Sequence, residues 1–370
     1  MAPLADMQHV VLVGLGHAHL YVGSRAAQFR REGLRLTLID DGEFWYSSIG
    51  SGMLGGRYER ADDVIDAEAF ATRHGIDFIK GRAVSIDRTA RDVVLGDGTR
   101  VPYDFLSLNV GSHVSPPFSI SGDGIWSPKP ISDLLQLRED LKGRFQRGDR
   151  VRWITVGGNH SGCELTLNAM ALARAEGGNL DAALVSADVD LIGNEPVGAR
   201  KAMRNVLEAA GCRVMCDTYV NAIEEKVLTL ADSSEMPFDV AMVATGLQPS
   251  ALVTACELDH NESGLIVTSY LQSPDDDRIF AVGDCASIRG YNLPKVGVFG
   301  VRASPVLTEN LMARAADEPL RAYKPQKIWF AALNLGDGTG LASWGSVWWR
   351  GKSALALKDW NDRRFMELYR

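Results

Sequence analysis

The stretch that most limits what this chain can fold into is His9-Val-Val-Leu-Val-Gly-Leu-Gly-His-Ala-His19. An apolar run ends in Gly14-Leu15-Gly16 and opens into a helical pattern. The spacing predicts a strand that feeds a tight turn into a helix N-terminus, a place where backbone N–H groups can seat a pyrophosphate. The third glycine of a G-x-G-x-x-G pattern is His19 here. A helix over 17–31, closed by Gly33, leads to a second strand, Leu34–Asp40. Asp40 falls at that strand's carboxyl end, where an acid can bind ribose hydroxyls. An acid rather than a base there favours a nucleotide without a 2′-phosphate.

Phe44 to Gly56 holds aromatic residues followed by serines and glycines, which reads either as walls for a flat ligand or as a surface loop. An amphipathic helix is expected over 62–74 and short strands over 76–79 and 83–86. A hairpin turning at Gly96-Asp97-Gly98 follows, then a buried strand ending in Asn109-Val-Gly-Ser112. Residues 113–132 read as a linker and 133–147 as a helix. A second strand–turn–helix unit opens at Val151, with the turn Gly157-Gly158-Asn159-His160-Ser161-Gly162. Asn159 stands where the middle glycine would approach a pyrophosphate most closely. Residues 182–186 and 189–192 are strand candidates, and Gly193, with Glu195 two residues on, takes the place of an expected acid. Further strands end in Thr245-Gly246 and in Gly283-Asp284, and Leu293–Arg302 leads into a helix.

A net charge of −8 argues against a general nucleic-acid binder. The opening Met1–Gln8 has neither the basic nor the apolar region of a signal peptide. No stretch of the sequence is apolar enough over its length to predict a spanning helix. Five scattered cysteines (Cys163, Cys212, Cys216, Cys256, Cys285) without a C-x-x-C read as reduced thiols of a cytoplasmic protein. No cluster has metal-ligand spacing, so no metal is expected. Residues 344–370 carry six Lys/Arg against three acids, interleaved with Trp348, Trp349, Trp360 and Phe365. That end reads as a cover over the site, a homodimer contact or a peripheral membrane interface.

Taken in this order, the two glycine turns, the Tyr-Asp-x-Leu strand, Thr245-Gly246 and Ala281-Val-Gly-Asp284 resemble the two-dinucleotide-binding-domain flavoproteins of the pyridine nucleotide–disulfide oxidoreductase superfamily. Within it the chain looks most like type II NADH dehydrogenase-like proteins. It is similar above all to the flavoprotein module fused to selenide, water dikinase in some proteins. Gly-His-Ala-His19, Ser51-Gly-Met53, Lys129-Pro130, Leu293-Pro-Lys295 with Arg302 and Pro305, and the ending Leu357–Met366 carry that closer likeness.

The resemblance implies an α/β fold of two interleaved Rossmann-like three-layer domains plus a C-terminal segment. Residues 1–115 and 275–320 would bind FAD, 116–274 would form the NAD(P)H-binding-like domain, and 321–370 would be the last segment. It implies FAD contacts at Gly14, Leu15, Gly16, His17, Ala18, Asp40, Val84, Gly111, Gly283, Asp284 and Val296. A NADH site would use Gly157, Gly158, Ser161, Glu164 and Gly246. Lys295 would lie near the flavin, where a cation stabilises negative charge on the reduced ring. The disulfide reductases of the superfamily need a cysteine pair after the Trp45–Gly56 region, and no cysteine precedes Cys163, so thiol–disulfide relay is excluded. Sulfide:quinone oxidoreductases also use cysteines near the flavin, for which only Cys163 and Cys285 are placed at strand–helix turns. The expected activity is hydride transfer from NADH to flavin and on to a quinone or another small-molecule acceptor. The alternatives are an FAD enzyme with a different small donor, or a non-catalytic redox-sensing flavoprotein.

Overall fold

The computed structural model describes residues 7–370, so most of the opening stretch read above, residues 1–6, lies outside it. The first strand, Gln8–Val13, lies between Leu34–Asp40 and Phe105–Leu108, parallel to both. Asp77–Lys80 extends the sheet on one side and Ile279–Ala281 on the other. Val10 to Val13 are all buried, as both faces of a parallel sheet require. A second sheet repeats the plan: Arg150–Val156 lies between Asn179–Val185 and Val240–Val243, with Arg213–Met215 and Ile125–Trp126 at its edges. The fold is therefore α/β with two parallel sheets of like topology.

Each sheet carries an antiparallel meander, 83–102 on the first and 220–237 on the second. Ser112–Val114 pairs antiparallel with Leu247–Pro249, joining the two halves. Gly264–Val267 pairs with Ala286–Ile288, on the side of the first half. The chain ends in a three-stranded antiparallel sheet over 330–351 and a helix, Lys352–Tyr369.

Four local expectations need correction. The helix over 17–31 is two helices, His17–Ser24 and Ala26–Arg31. The break falls at a Gly23-Ser24 pair, where Ser24 Oγ bonds back to Tyr21 O. The helix over 62–74 is interrupted by Val64–Asp66, which pairs with Glu43–Trp45, and Asp66 then caps Ala67–His74 by accepting the N–H of Ala69. The Ser/Gly run after Tyr46 is a helix, Ser47–Leu54, and not a loop. Its glycines allow close packing: a Cβ on Gly52 would lie 2.6 Å from the Tyr58 ring, and one on Gly50 3.0 Å from Ile131. Residues 189–192 are not a strand. Leu191 and Ile192 are buried against the second glycine turn, and Ile192 N–H donates to Gly158 O.

Candidate functional site

At the first turn Gly14 has φ +83°, and a Cβ there would lie 2.8 Å from the carbonyl oxygen of Asn109. A Cβ on Gly16 would lie 2.3 Å from Asn109 Oδ1. Both glycines let the turn close on the end of the neighbouring strand. Asp40 holds the turn from the other side: Oδ2 accepts the N–H of Leu15 (2.7 Å) and Oδ1 that of Gly42 (2.8 Å). Burial raises its carboxyl above the usual range, and these two hydrogen bonds oppose that. Ala18 is buried just inside the helix, whose first N–H groups have no intrahelical acceptors. Asn109 Oδ1 takes those of Ala18 and His19. No hydrogen bond among the described residues uses the N–H of Gly16 or His17, which leaves them for an anion at the helix N-terminus.

Two residues that the sequence pattern left without a role complete this turn. Asn109 Nδ2 donates to Val282 O (2.8 Å), so one side chain ties the helix start to the end of strand 279–281. His19, in the place of the third glycine, is fully buried. Its Nδ1 faces Gly14 O (2.6 Å) and its Nε2 faces Ser107 Oγ (2.8 Å). A carbonyl only accepts, so the proton is on Nδ1, and burial pushes the imidazole pKa down to about 4. It is a neutral brace and not a metal ligand.

The His17 ring lies among Phe44, Tyr46 and Phe365, with centroids at 5.1, 5.5 and 5.4 Å. Burial among them pushes its pKa down to about 4. A Cβ on Gly297, the first residue of helix Gly297–Ala315, would lie 3.3 Å from that ring, and Val296 before it is 39% exposed. Gly283, with φ +75°, lies beside Asn109 Nδ2. Asp284 follows, its Oδ2 accepting from Lys129 Nζ (2.8 Å) and Ser112 Oγ (3.0 Å). Burial alone would raise that carboxyl; Lys129, Ser112 and Lys295 together outweigh it and hold the pKa below the usual range. Lys295 Nζ donates to the backbone carbonyls of Ser263 and Asp284, so it straps the turn. Gly111, with φ +68°, has open space at its Cβ position. Val84 is exposed on the antiparallel meander. The first turn, Asp40, Gly283, Asp284 and Val296 thus converge on one end of the first sheet. Free N–H groups, close-approach glycines and an acid suit the pyrophosphate and polyol of FAD.

The second turn is built the same way from different residues. Gly157 has φ +122°, and a Cβ there would lie 2.8 Å from Ala244 O. A Cβ on Gly158 would lie 2.6 Å from Ser186 Oγ, and one on Gly246 2.5 Å from the Pro116 backbone. Asn159, in the place of the middle glycine, is the N-cap of helix His160–Ala175. Its Oδ1 accepts from Gly162 N–H and its Nδ2 donates to Ala244 O (2.6 Å). It does for this turn what Asn109 does for the first. Ser161 is exposed at the helix start. His160 Nε2 lies 2.8 Å from Glu195 Oε1. Burial opposes charge on Glu195, and bonds from His160 and Ser343 outweigh it, holding the acid below its usual range.

Glu164 does not face an open cleft. Its Oε1 accepts the N–H of Asn334 (2.7 Å), and burial raises its carboxyl pKa. Lys358 of the C-terminal helix is 2% exposed and donates to Ser48 O and to Asp362 Oδ2 (2.7 Å), while Ser48 Oγ donates to Asp362 Oδ1. Burial alone would push the ammonium down; Glu164 and Asp362 more than offset it. Asp359 pairs with Arg57 and Tyr58, and Phe365 stacks on Tyr46 at 4.5 Å. The last helix is thereby clasped to 46–58 and supplies part of the wall around His17. The pairings of the last helix with 46–58 have no sequence signal, because the partners lie some 300 residues apart.

Asp63 is fully buried beneath this wall, accepts the N–H of Tyr46, and leaves Oδ2 without a partner. Burial raises its pKa to about 7. A carboxyl raised above its unfolded value of 3.8 costs stability as pH rises from about 4 to about 7. Asp63→Asn keeps the acceptor for Tyr46 and removes that cost. Relative to the parent it is expected to gain about 2–3 kcal/mol more at pH 8 than at pH 5. Thermal unfolding at both pH values checks this; an equal shift at the two would refute it.

All five cysteines are free, and Cys163 and Cys285 are fully buried. Burial pushes the Cys285 thiol up to about 11 and the Cys163 thiol higher still, so neither is a thiolate at neutral pH.

The chain belongs to the pyridine nucleotide-disulphide oxidoreductase family, whose profile matches residues 8–307. It is an oxidoreductase of a family whose members bind FAD and use NAD(P)H, and it has no redox-active disulfide. It is 25% identical to the type II NADH:quinone oxidoreductase of Haemophilus influenzae, over 86% of this chain and 83% of that protein. It is 24% identical to human ferroptosis suppressor protein 1, over 90% and 88%. Among solved structures, the sulfide:quinone oxidoreductase of Aquifex aeolicus superposes with a TM-score of 0.83 at 17% identity, covering 97% of this chain and 90% of that one. The water-forming NADH oxidase of Lactobacillus brevis superposes at 0.75 with 19% identity, covering 91% and 75%. These two likenesses concern the fold.

Proposed function

We propose that this chain binds FAD at the first turn, takes hydride from NADH held at the second, and delivers electrons to a quinone or a comparable small acceptor. The observation that carries the reading is the duplication. Two glycine turns, each closed on a strand end and pinned by an asparagine, precede two helix N-termini. Bound FAD supplies the two-electron chemistry, and the protein supplies position and electrostatics. Gly16 and His17 N–H groups hold the pyrophosphate, Asp40 the adenosine ribose, and Asp284 the polyol chain. His17, Phe44, Tyr46 and Phe365 exclude water beside the first turn. Gly157, Gly158, Ser161 and Gly246 shape the NADH site, with Glu164 closing its floor toward the last helix. Residues 1–115 and 275–320 form the FAD half and 116–274 the nucleotide-donor half.

The quinone assignment draws on the Haemophilus relative, and the inert thiols of Cys163 and Cys285 count against sulfide as donor. The closer likeness to the module fused to selenide, water dikinase belongs to this proposal too. No helix among the described residues is long and apolar enough to cross a membrane. Trp344, Val347, Ile328 and Trp360 are exposed on the basic C-terminal segment, which supports peripheral contact with a membrane that carries the acceptor.

The reading predicts a yellow protein whose flavin absorbance bleaches on anaerobic addition of NADH and returns on addition of a soluble quinone, faster when anionic vesicles carry it. Protein that stays colourless after reconstitution with FAD sinks the proposal. Flavin that bleaches with another donor and not with NADH or NADPH removes the second site from it.

A further inference from the structure

Lys129 has no part in either turn, yet it reaches the charged centre of the molecule. It follows strand Ile125–Trp126 of the second sheet, and its ammonium lies against the carboxyl end of the first. Nζ donates to Ser112 Oγ (2.7 Å) and to Asp284 Oδ2 (2.8 Å). Ser112 opens the strand that joins the two halves. Around Asp284 there are thus one carboxylate and two ammonium groups, those of Lys129 and Lys295. The other titratable neighbours add no charge at neutral pH. His17 feels both Asp284 and Lys129 and is neutral because burial pushes it to about 4. Cys285 is a thiol pushed up to about 11. The cluster keeps a surplus of one positive charge where the two halves of the fold meet, in a partly enclosed setting where charge interacts more strongly than in water.

Lys295 spends its donors on two backbone carbonyls, whereas Lys129 contacts only side chains. Asp284 and Ser112 can turn toward a bound polyol, and Lys129 then remains as the cation beside it. We propose that Lys129 is a positioning residue that supplies the positive charge favouring negative charge on the N1–C2=O side of the flavin ring. The inference rests on the reading that FAD binds at the first turn. A cation in this position lowers the proton affinity of flavin N1 in the reduced state. It also strengthens addition of sulfite to the oxidised ring. There the sulfur lone pair forms a bond to N5 and the displaced electron pair moves to N1–C2=O.

The experiment uses the FAD-loaded parent, Lys129→Met and Lys129→Arg, with sulfite as probe and absorbance as readout. The parent is expected to bleach with sulfite and, once reduced by dithionite, to show the N1-ionised spectrum from about pH 6 to about pH 9. Lys129→Met is expected to bind sulfite at least about tenfold more weakly and to take up the N1 proton within that pH range. Lys129→Arg is expected to stay near the parent. Lys129→Met that holds FAD and binds sulfite as the parent does overturns the proposal. So does a parent whose reduced flavin is neutral at about pH 7, a result that needs no variant to fold. A parent that never takes up FAD overturns the cofactor reading instead, and the proposal with it.

Discussion

Lys358→Met is expected to cost about 3–5 kcal/mol of stability, the range measured when one partner of a buried ion pair is removed. The reason is geometric. Lys358 and Asp362 are each 2% exposed and paired at 2.7 Å, and Glu164 is buried on the same cation. Methionine has much the same shape, so the loss comes from two carboxylates left without their cation and not from a cavity. Burial already raises the Glu164 carboxyl and Lys358 opposes that, so losing Lys358 makes the variant weakest at high pH. Lys358→Met/Asp362→Asn removes one of the stranded charges and is expected to lose less than Lys358→Met alone. Urea-unfolding midpoints of the parent, the two single variants and the double variant measure the coupling. A midpoint for Lys358→Met equal to the parent's would show that the clasp contributes nothing.

The second large effect is expected at Gly16. Its φ of −80° suits any residue, so backbone strain is not the issue. A methyl group there would lie 2.3 Å from Asn109 Oδ1 and 2.8 Å from Asn109 O, far inside contact distance. Gly16→Ala must expel the Asn109 side chain, releasing the N–H of Ala18 and the carbonyl of Val282 together. FAD affinity is expected to fall by at least about tenfold, roughly 1.4 kcal/mol, in a protein that still folds. Titration of FAD fluorescence against apoprotein reads this directly. Asn109→Ala is the companion: it loses the same two bonds without the clash and is expected to weaken FAD less. Equal affinity in Gly16→Ala and the parent would mean that the turn does not hold the cofactor.

These two sites mark how far the sequence could be read. The first turn, the two five-stranded sheets and Asp284 were legible because they are local patterns: an apolar run, glycines at fixed offsets, an acid at a strand end. Gly23-Ser24 and Val64–Asp66 defeated the helix readings because a side-chain bond and a strand partner overrode the periodicity. Leu191 and Ile192 resembled a strand because burial against a glycine turn produces the same apolar run. At the site itself, Asn109 and Lys129 stood in stretches that the sequence singled out, but the pairings of Asn109, Lys129, Lys358 and Asp362 carried no signal. Each acts on a partner far along the chain, and nothing in the neighbouring residues announces the pairing. The capping role of Asn159 was hidden for a related reason. A pattern that asks for glycine registers asparagine only as a loss, whereas the fold uses its amide to cap one element and tie down another.

The clasp of the last helix has a consequence for how the protein is made. The enclosure around His17 takes Phe44 and Tyr46 from near the start of the chain and Phe365 from its final helix. The sheet beneath it is completed only by Ile279–Ala281. A ribosome-bound chain that has emerged through the first two strands already carries the glycine turn, but it has neither the outer strand nor the closing ring. The enclosure around the first turn is therefore complete only once helix Lys352–Tyr369 has been made and has packed.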